Sequence, residues 1–216
     1  MLKHVTAILL SLTIVIGGRD MPNWTSLIVN TQPWTYNISP EAHDNAEIIW
    51  NFFRSQGLTE EATAGILGNL TQESYVNPGQ IGLGYPIADT YSPKGLMMWT
   101  THGAIDQLYS YTANLGRPWN DGDAQIRLIM DNPNNSIFWP RNGYYYTWEQ
   151  YQQLQDIDEA THAFCWEAEA PGDPQMNKRE TAAHYWYGEF HGSTPGQTLP
   201  IWMMGRENLR LNIIHC

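Results

Sequence analysis

Gly65-Ile66-Leu67-Gly68-Asn69-Leu70-Thr71-Gln72-Glu73-Ser74, which runs on into Tyr75-Val76-Asn77-Pro78-Gly79, decides how this chain is read. Thr59-Glu60-Glu61 suits a helix start, and Ala62, Ile66, Leu67 and Leu70 continue it at helical spacing. Gly65 and Gly68 each cost such a helix about 1 kcal/mol against alanine, so another pressure must favour them. The simplest is the close approach of a neighbouring helix. Glu73 then falls in the last turn, where the negative end of the helix dipole disfavours a carboxylate, just before an Asn-Pro-Gly stop. An acid placed against that preference points to a function.

The 216 residues suffice for one domain with a sizeable core, or for a domain with extensions. Ten Trp and twelve Tyr make the chain rich in aromatic rings, which either fill cores or stack on sugars. A formal net charge of −11, with only 11 Lys and Arg in total, argues against a nucleic-acid partner. Cys165 and Cys216 offer neither a disulfide framework nor zinc spacing, and Cys165 reads as a small core residue on a helix. The seven His are dispersed and form no His-Glu-x-x-His, so no metal and no other cofactor is expected. No Gly-x-Ser-x-Gly elbow or phosphate-binding loop supports acyl transfer or nucleotide chemistry.

Four segments are expected: 1–20, 21–38, 39–191 and 192–216. Residues 5–16 form an apolar stretch after Lys3, too short to span a bilayer comfortably. It reads as a signal peptide, as a hydrophobic arm in an assembly, or as an upstream extension of little consequence. Residues 21–38 are an extended lead-in. Ser39-Pro40-Glu41 opens a helix with a cap, a proline at the first turn and an acid at the positive dipole end, and Ala46, Ile49, Trp50 and Phe53 form its buried stripe. Helical patterns return at about 103–115, 121–131, 147–153, 157–169 and 175–188, with Asp156 or Asp158 capping the fourth and Phe164, Trp166, Tyr185 and Trp186 supplying core. Residues 192–216 are a linker and tail without an assignable pattern.

The run at 65–78 resembles the Gly-(Ile/Met)-(Leu/Met)-Gly-Asn-(Leu/Met)-Gln-x-Glu-Ser-x-x-Asn-Pro signature of the phage tail lysozyme family, although Gln72 and Glu73 are adjacent here. Gly95-Leu96-Met97-Met98-Trp99-Thr100 is similar to that family's Gly-Leu-x-Gln-Trp-Thr, with Met98 where the pattern has Gln. Glu169-Ala170-Pro171 resembles its Glu-Arg-Pro, and residues 179–187 resemble its closing Arg-x-Ala-x-x-Trp-Tyr helix. The resemblance spans about residues 40–190. It implies a mainly α-helical, lysozyme-like α+β domain, with a small β-lobe or loop wall at about 77–93 beside a sugar cleft.

It also implies cleavage of the β-1,4 link between N-acetylmuramic acid and N-acetylglucosamine in peptidoglycan. Such cleavage needs an acid that still holds its proton, and partial burial against apolar groups keeps a carboxyl protonated. Glu73 is the expected general acid, with Leu70, Val76 and Trp99 as its neighbours. Asp89 is either a second catalytic carboxylate or a cap of its own turn. Gln72, Ser74, Tyr75, Asn77, Tyr91 and Trp99 would shape the substrate cleft. The expected setting is a phage tail that opens the host wall, with peptidoglycan strands and other tail proteins as partners, or secretion if residues 1–20 are a signal peptide. A particle-borne component would not need electrostatic steering to an anionic wall, in keeping with the acidity. Two alternatives stay open: a lytic transglycosylase, and a non-catalytic tail or wall-binding protein that keeps the fold.

Overall fold

Five of the helices begin where the sequence offers a capping side chain. The computed structural model describes residues 22–30, 38–100, 102–140, 143 and 145–193. Ser39 accepts the Ala42 N–H at 3.2 Å and opens α1 (Pro40–Ser55), and Thr59 accepts the Ala62 N–H at 3.0 Å and opens α2 (Glu60–Ser74). After α3 (His102–Asn114), Asp121 accepts the Ala124 N–H at 2.9 Å and opens α4 (Gly122–Asp131). A short α5 (Trp148–Tyr151) starts on Thr147, and Asp156 accepts the Glu159 N–H at 2.8 Å to open α6 (Ile157–Phe164). The last helix is α7 (Met176–Phe190). Each cap satisfies an amide that the helix itself leaves unbonded.

α2 is the hub, with α1, α6 and α7 all packed on it. The glycines are there for the reason the sequence suggested. A Cβ on Gly65 would stand 2.8 Å from the Ala160 carbonyl carbon of α6, and one on Gly68 2.5 Å from the Arg179 carbonyl oxygen of α7. Encirclement buries polar residues too, and these bond back into their own helix. Thr63 donates to the Thr59 carbonyl at 2.8 Å, Thr71 to Leu67 at 2.6 Å, and Ser74 to Leu70 at 3.0 Å.

Around α2 the core comprises Ile49, Trp50 and Phe53 of α1, Ile105 and Leu108 of α3, Ile126 and Leu128 of α4, Phe164 of α6 and Trp186 of α7. Trp186 stacks on Phe190 and donates its indole N–H to Thr71 at 2.8 Å. Two side chains depart from the expected core: Tyr185 is 39% exposed, its ring meeting Trp186 edge-on, and Trp166 is only half-buried. α7 is further tied at its rim to α6, through His162–Glu180 at 2.5 Å and Asp158–His184 at 2.8 Å.

Between α2 and α3 the chain forms a loop wall. Its pairings are isolated bridges, Val29 with Gln80, Ile81 with Lys94 and Lys94 with Trp99, so among the described residues no β-lobe forms. The sequence there lacks the alternation that would build a strand ladder. Buried side chains hold it instead. Lys94 donates to the Asp89 carbonyl at 3.0 Å and to the Tyr109 hydroxyl at 2.9 Å, and lies over the Trp119 ring. Gln125 of α4 accepts the Leu96 N–H at 2.7 Å and donates to the Pro78 and Trp119 carbonyls at 2.9 and 2.8 Å.

The lead-in at 22–30 is stitched to this body. Trp24 donates to Asp123 at 2.9 Å, and its ring fills the space that a side chain on Gly122 would take. Asn45 of α1, 1% exposed, exchanges hydrogen bonds with Thr25 and donates to the Val76 carbonyl at 3.0 Å. The segment expected at 1–20, residues 21 and 31–37 of the lead-in, and residues 194–216 of the segment expected at 192–216 lie outside the described residues. Among the described residues no helix is long and apolar enough to cross a membrane.

Candidate active site

α2 ends abruptly, and the abrupt end presents Glu73. Tyr75 and Val76 take left-handed backbone conformations, with φ of 58° and 54°, which is costly for a β-branched valine. The surroundings enforce the turn: Val76 is fully buried, its N–H returns to the Leu70 carbonyl at 3.3 Å, and Asn45 holds its carbonyl. Asn77 then accepts the Leu27 N–H at 3.2 Å and donates to the Leu27 carbonyl at 2.8 Å. Gly79 lets the Leu27 backbone approach closer than any Cβ allows. The Asn-Pro-Gly motif thus anchors the lead-in.

Glu73, 19% exposed at its side chain, accepts through Oε1 from Arg179 Nη2 of α7. Its partner is a cation, where the sequence led us to expect an apolar wall. Arg179 is 1% exposed and fully engaged: Nε donates to the Pro174 carbonyl at 2.7 Å and Nη1 to the Asn69 side-chain oxygen at 2.9 Å. Asn69 is in turn fixed by donating to the Gly65 and Thr161 carbonyls at 2.8 and 3.0 Å. Burial works against the guanidinium's charge, but Glu73 and Glu169 outweigh it and hold Arg179 above its ordinary value. The cation also offsets the unfavourable helix end at which Glu73 sits.

Glu169 reaches this cluster because α6 changes pitch. Residues Cys165–Glu169 form a π-turn, closed by the Ala170 N–H on the Cys165 carbonyl at 2.7 Å and ended by Ala170 at φ 45°. The turn carries Ala168 and Glu169 into a pocket of about 220 Å³ lined also by Met97, Met98, Trp99, Ile137 and Trp139. Glu169 Oε1 is shielded from solvent. Trp99 is 4% exposed, and its indole N–H has no acceptor among the described residues. Met98, at φ 48°, turns the segment so that Lys94 N–H meets the Trp99 carbonyl at 3.2 Å.

The structure divides the residues expected at the site. Trp99 and Glu169 line the pocket; Glu73 does not, but it accepts from Arg179, on whose charge Glu169 also acts. Ser74 is fully buried with its hydroxyl on Leu70, and Asn77 is committed to Leu27, so the two serve the fold in place of a substrate. Gln72 and Tyr75 are half-buried beside Glu73. Tyr91 and Asp89 are exposed on the loop wall, where Asp89 accepts the Tyr91 N–H at 2.9 Å and caps its own turn. Neither lines the pocket. Arg179 and Glu169 were not read as site residues. Their only sequence trace is the resemblance of residues 179–187 to Arg-x-Ala-x-x-Trp-Tyr and of Glu169-Ala170-Pro171 to Glu-Arg-Pro.

The profile of the phage tail lysozyme family matches residues 44–190, from the first turns of α1 to the end of α7. The chain belongs to the phage tail lysozyme family. The match takes in every element that builds the Glu73–Arg179–Glu169 cluster and the pocket. The chain is also similar to morphogenesis protein 1 of Bacillus phage B103, 28% identical over 151 residues. That alignment covers 68% of this chain and 40% of the relative, so the chain spans less than half of the relative's length. The family and the relative mark it as a lysozyme-like protein of phage type.

Proposed function

We propose that the protein is a peptidoglycan hydrolase that cuts the β-1,4 bond from N-acetylmuramic acid to N-acetylglucosamine, with Glu73 as general acid. The observation that carries this reading is a carboxyl group at the end of a buried helix, oriented by a sealed arginine. Arg179 takes Oε1 of Glu73, which leaves Oε2 as the oxygen that would serve the leaving group. Trp99, 4% exposed, would shape the pocket wall against which a sugar lies. Family membership and the phage relative support a virion tail component that works on the host wall beside other tail proteins.

Glu73→Gln tests the acid. It should lower turnover on purified peptidoglycan by about 100-fold or more, assayed at a temperature where circular dichroism shows it folded. Equal turnover by variant and parent would sink the reading. Product masses separate hydrolysis, which leaves a reducing end, from lytic transglycosylation, which leaves an anhydro sugar. A non-catalytic wall-binding protein, favoured by the apolar Met98 on the pocket wall, would bind peptidoglycan and release nothing.

A further inference from the structure

An acid alone does not complete hydrolysis, because the water that attacks the sugar must lose a proton. The loop wall offers Asp89, but that carboxylate is exposed and engaged with the Tyr91 N–H. The structure offers a better placed group. Glu169 lines the pocket beside Trp99, its Oε1 is shielded from solvent, and it lies within electrostatic reach of the buried guanidinium that grips Glu73.

We propose that Glu169 is the second catalytic carboxylate, the general base that accepts a proton from the attacking water, and that Arg179 is a positioning residue for both acids. The assignment rests on the hydrolase reading of Glu73. The step balances as follows. The C1–oxygen bond of the glycoside breaks, its electron pair stays on the leaving oxygen, and that oxygen takes the Glu73 proton. The water oxygen bonds C1 from the opposite face and gives its proton to Glu169. Glu73 is left ionised and Glu169 protonated, and exchange with solvent resets both.

Charge arithmetic gives a reason for one arginine to grip one acid and act electrostatically on another. Before the step the negative charge is on Glu169, and after it on Glu73. One proton, two carboxyls and one guanidinium make a neutral set at both ends. The cation that balances the charge can therefore stay fixed, and Arg179, held by Pro174 and Asn69, is fixed. Such preorganisation avoids rearranging a counter-ion during the reaction. Attack from the opposite face also sets the stereochemistry: the new reducing end is released as the α-anomer.

The test uses the full chain on purified peptidoglycan, with the nascent anomer followed by NMR. The parent should release the α-anomer, and a β-anomer or an anhydro product overturns the base assignment. Glu169→Gln should lower kcat by about 100-fold or more, leave KM within about threefold, and remove the acid limb of the pH profile. In Glu169→Ala, added azide, an anionic nucleophile that needs no base, should restore turnover and yield the α-glycosyl azide. A merely structural Glu169 gives no such rescue. Parent-like turnover by Glu169→Gln with Glu73→Gln inactive overturns this inference and leaves the hydrolase reading standing. Parent-like turnover by Glu73→Gln removes both. Should one Glu169 variant fail to fold, the other is read, and a β-anomer from the parent overturns the inference without either.

Discussion

Gly68 lies directly beneath the backbone of Arg179: a Cβ on the glycine would stand 2.5 Å from the arginine's carbonyl oxygen and 2.8 Å from the Ala183 methyl. One residue along α2, Asn69 receives the Arg179 guanidinium at 2.9 Å. The position of the buried cation is thus set by the spacing of two helices, and that spacing is set by a missing side chain.

Gly68→Ala pits two effects against each other. Alanine gains about 1 kcal/mol of helix propensity, whereas forcing a methyl into this contact costs about 1–3 kcal/mol. The neighbour is backbone and cannot swing aside, so overpacking should win, and urea denaturation should show a net loss of stability. Peptidoglycan cleavage should fall as well, because α7 carries Arg179. A variant more stable than the parent would mean that α7 sits farther from α2 than described.

Removing residues from the N-terminal end should reveal where the folded unit starts. A chain beginning at Met21 keeps Trp24 on Asp123, Thr25 on Asn45 and Leu27 on Asn77, and should unfold at the temperature of the parent. A chain beginning at residue 38 loses all three and strands Asn45, a buried amide, at a cost of about 1–3 kcal/mol for that group alone. Calorimetry of the two should therefore differ clearly. Equal midpoints would show the lead-in to be a passenger.

Cys165 should be silent to thiol reagents and visible in alkaline stability. Burial pushes its thiol up from 9.0 to about 12, helped by Glu169 and Glu73 and opposed by Arg179. Below pH 9 the thiol keeps its proton in folded and unfolded chains alike, so it contributes no slope. Between pH 9 and 12 the unfolded thiol ionises while the native one does not. The unfolded state then binds fewer protons, and stability falls as pH rises. Cys165→Ala should lose stability less steeply over that range, and with Cys216→Ser as background, iodoacetamide should label Cys165 only in denaturant. Rapid labelling of the folded protein at pH 8 would refute the buried placement.

The helical frame was legible because it depends on local chemistry. Ser39, Thr59, Asp121 and Asp156 cap the helices they precede, and Gly65 and Gly68 announce a close neighbour before the neighbour is known. Glu73 stood out for its place at the wrong end of a helix dipole. Arg179 did not, since an arginine in a polar helix reads as a solvated side chain until tertiary structure seals it. Glu169 was hidden by the change of pitch at Cys165–Glu169, because a 3.6-residue period does not foresee a π-turn. The roles of Ser74, Asn77 and Gln125 rest on hydrogen bonds to backbone groups far away in sequence, and such bonds leave no periodic trace.

The Glu73–Arg179 ion pair joins positions 106 residues apart, and α7 is the last helix among the described residues. A polypeptide still on the ribosome and ending before residue 176 would already contain Glu73, Trp99 and Glu169. It would lack the guanidinium that orients them and the helix that closes the far side of α2. On the reading proposed above, lytic competence waits until α7 has been made, and fragments released by premature termination or cleavage ahead of α7 would leave the wall of the cell that makes them uncut.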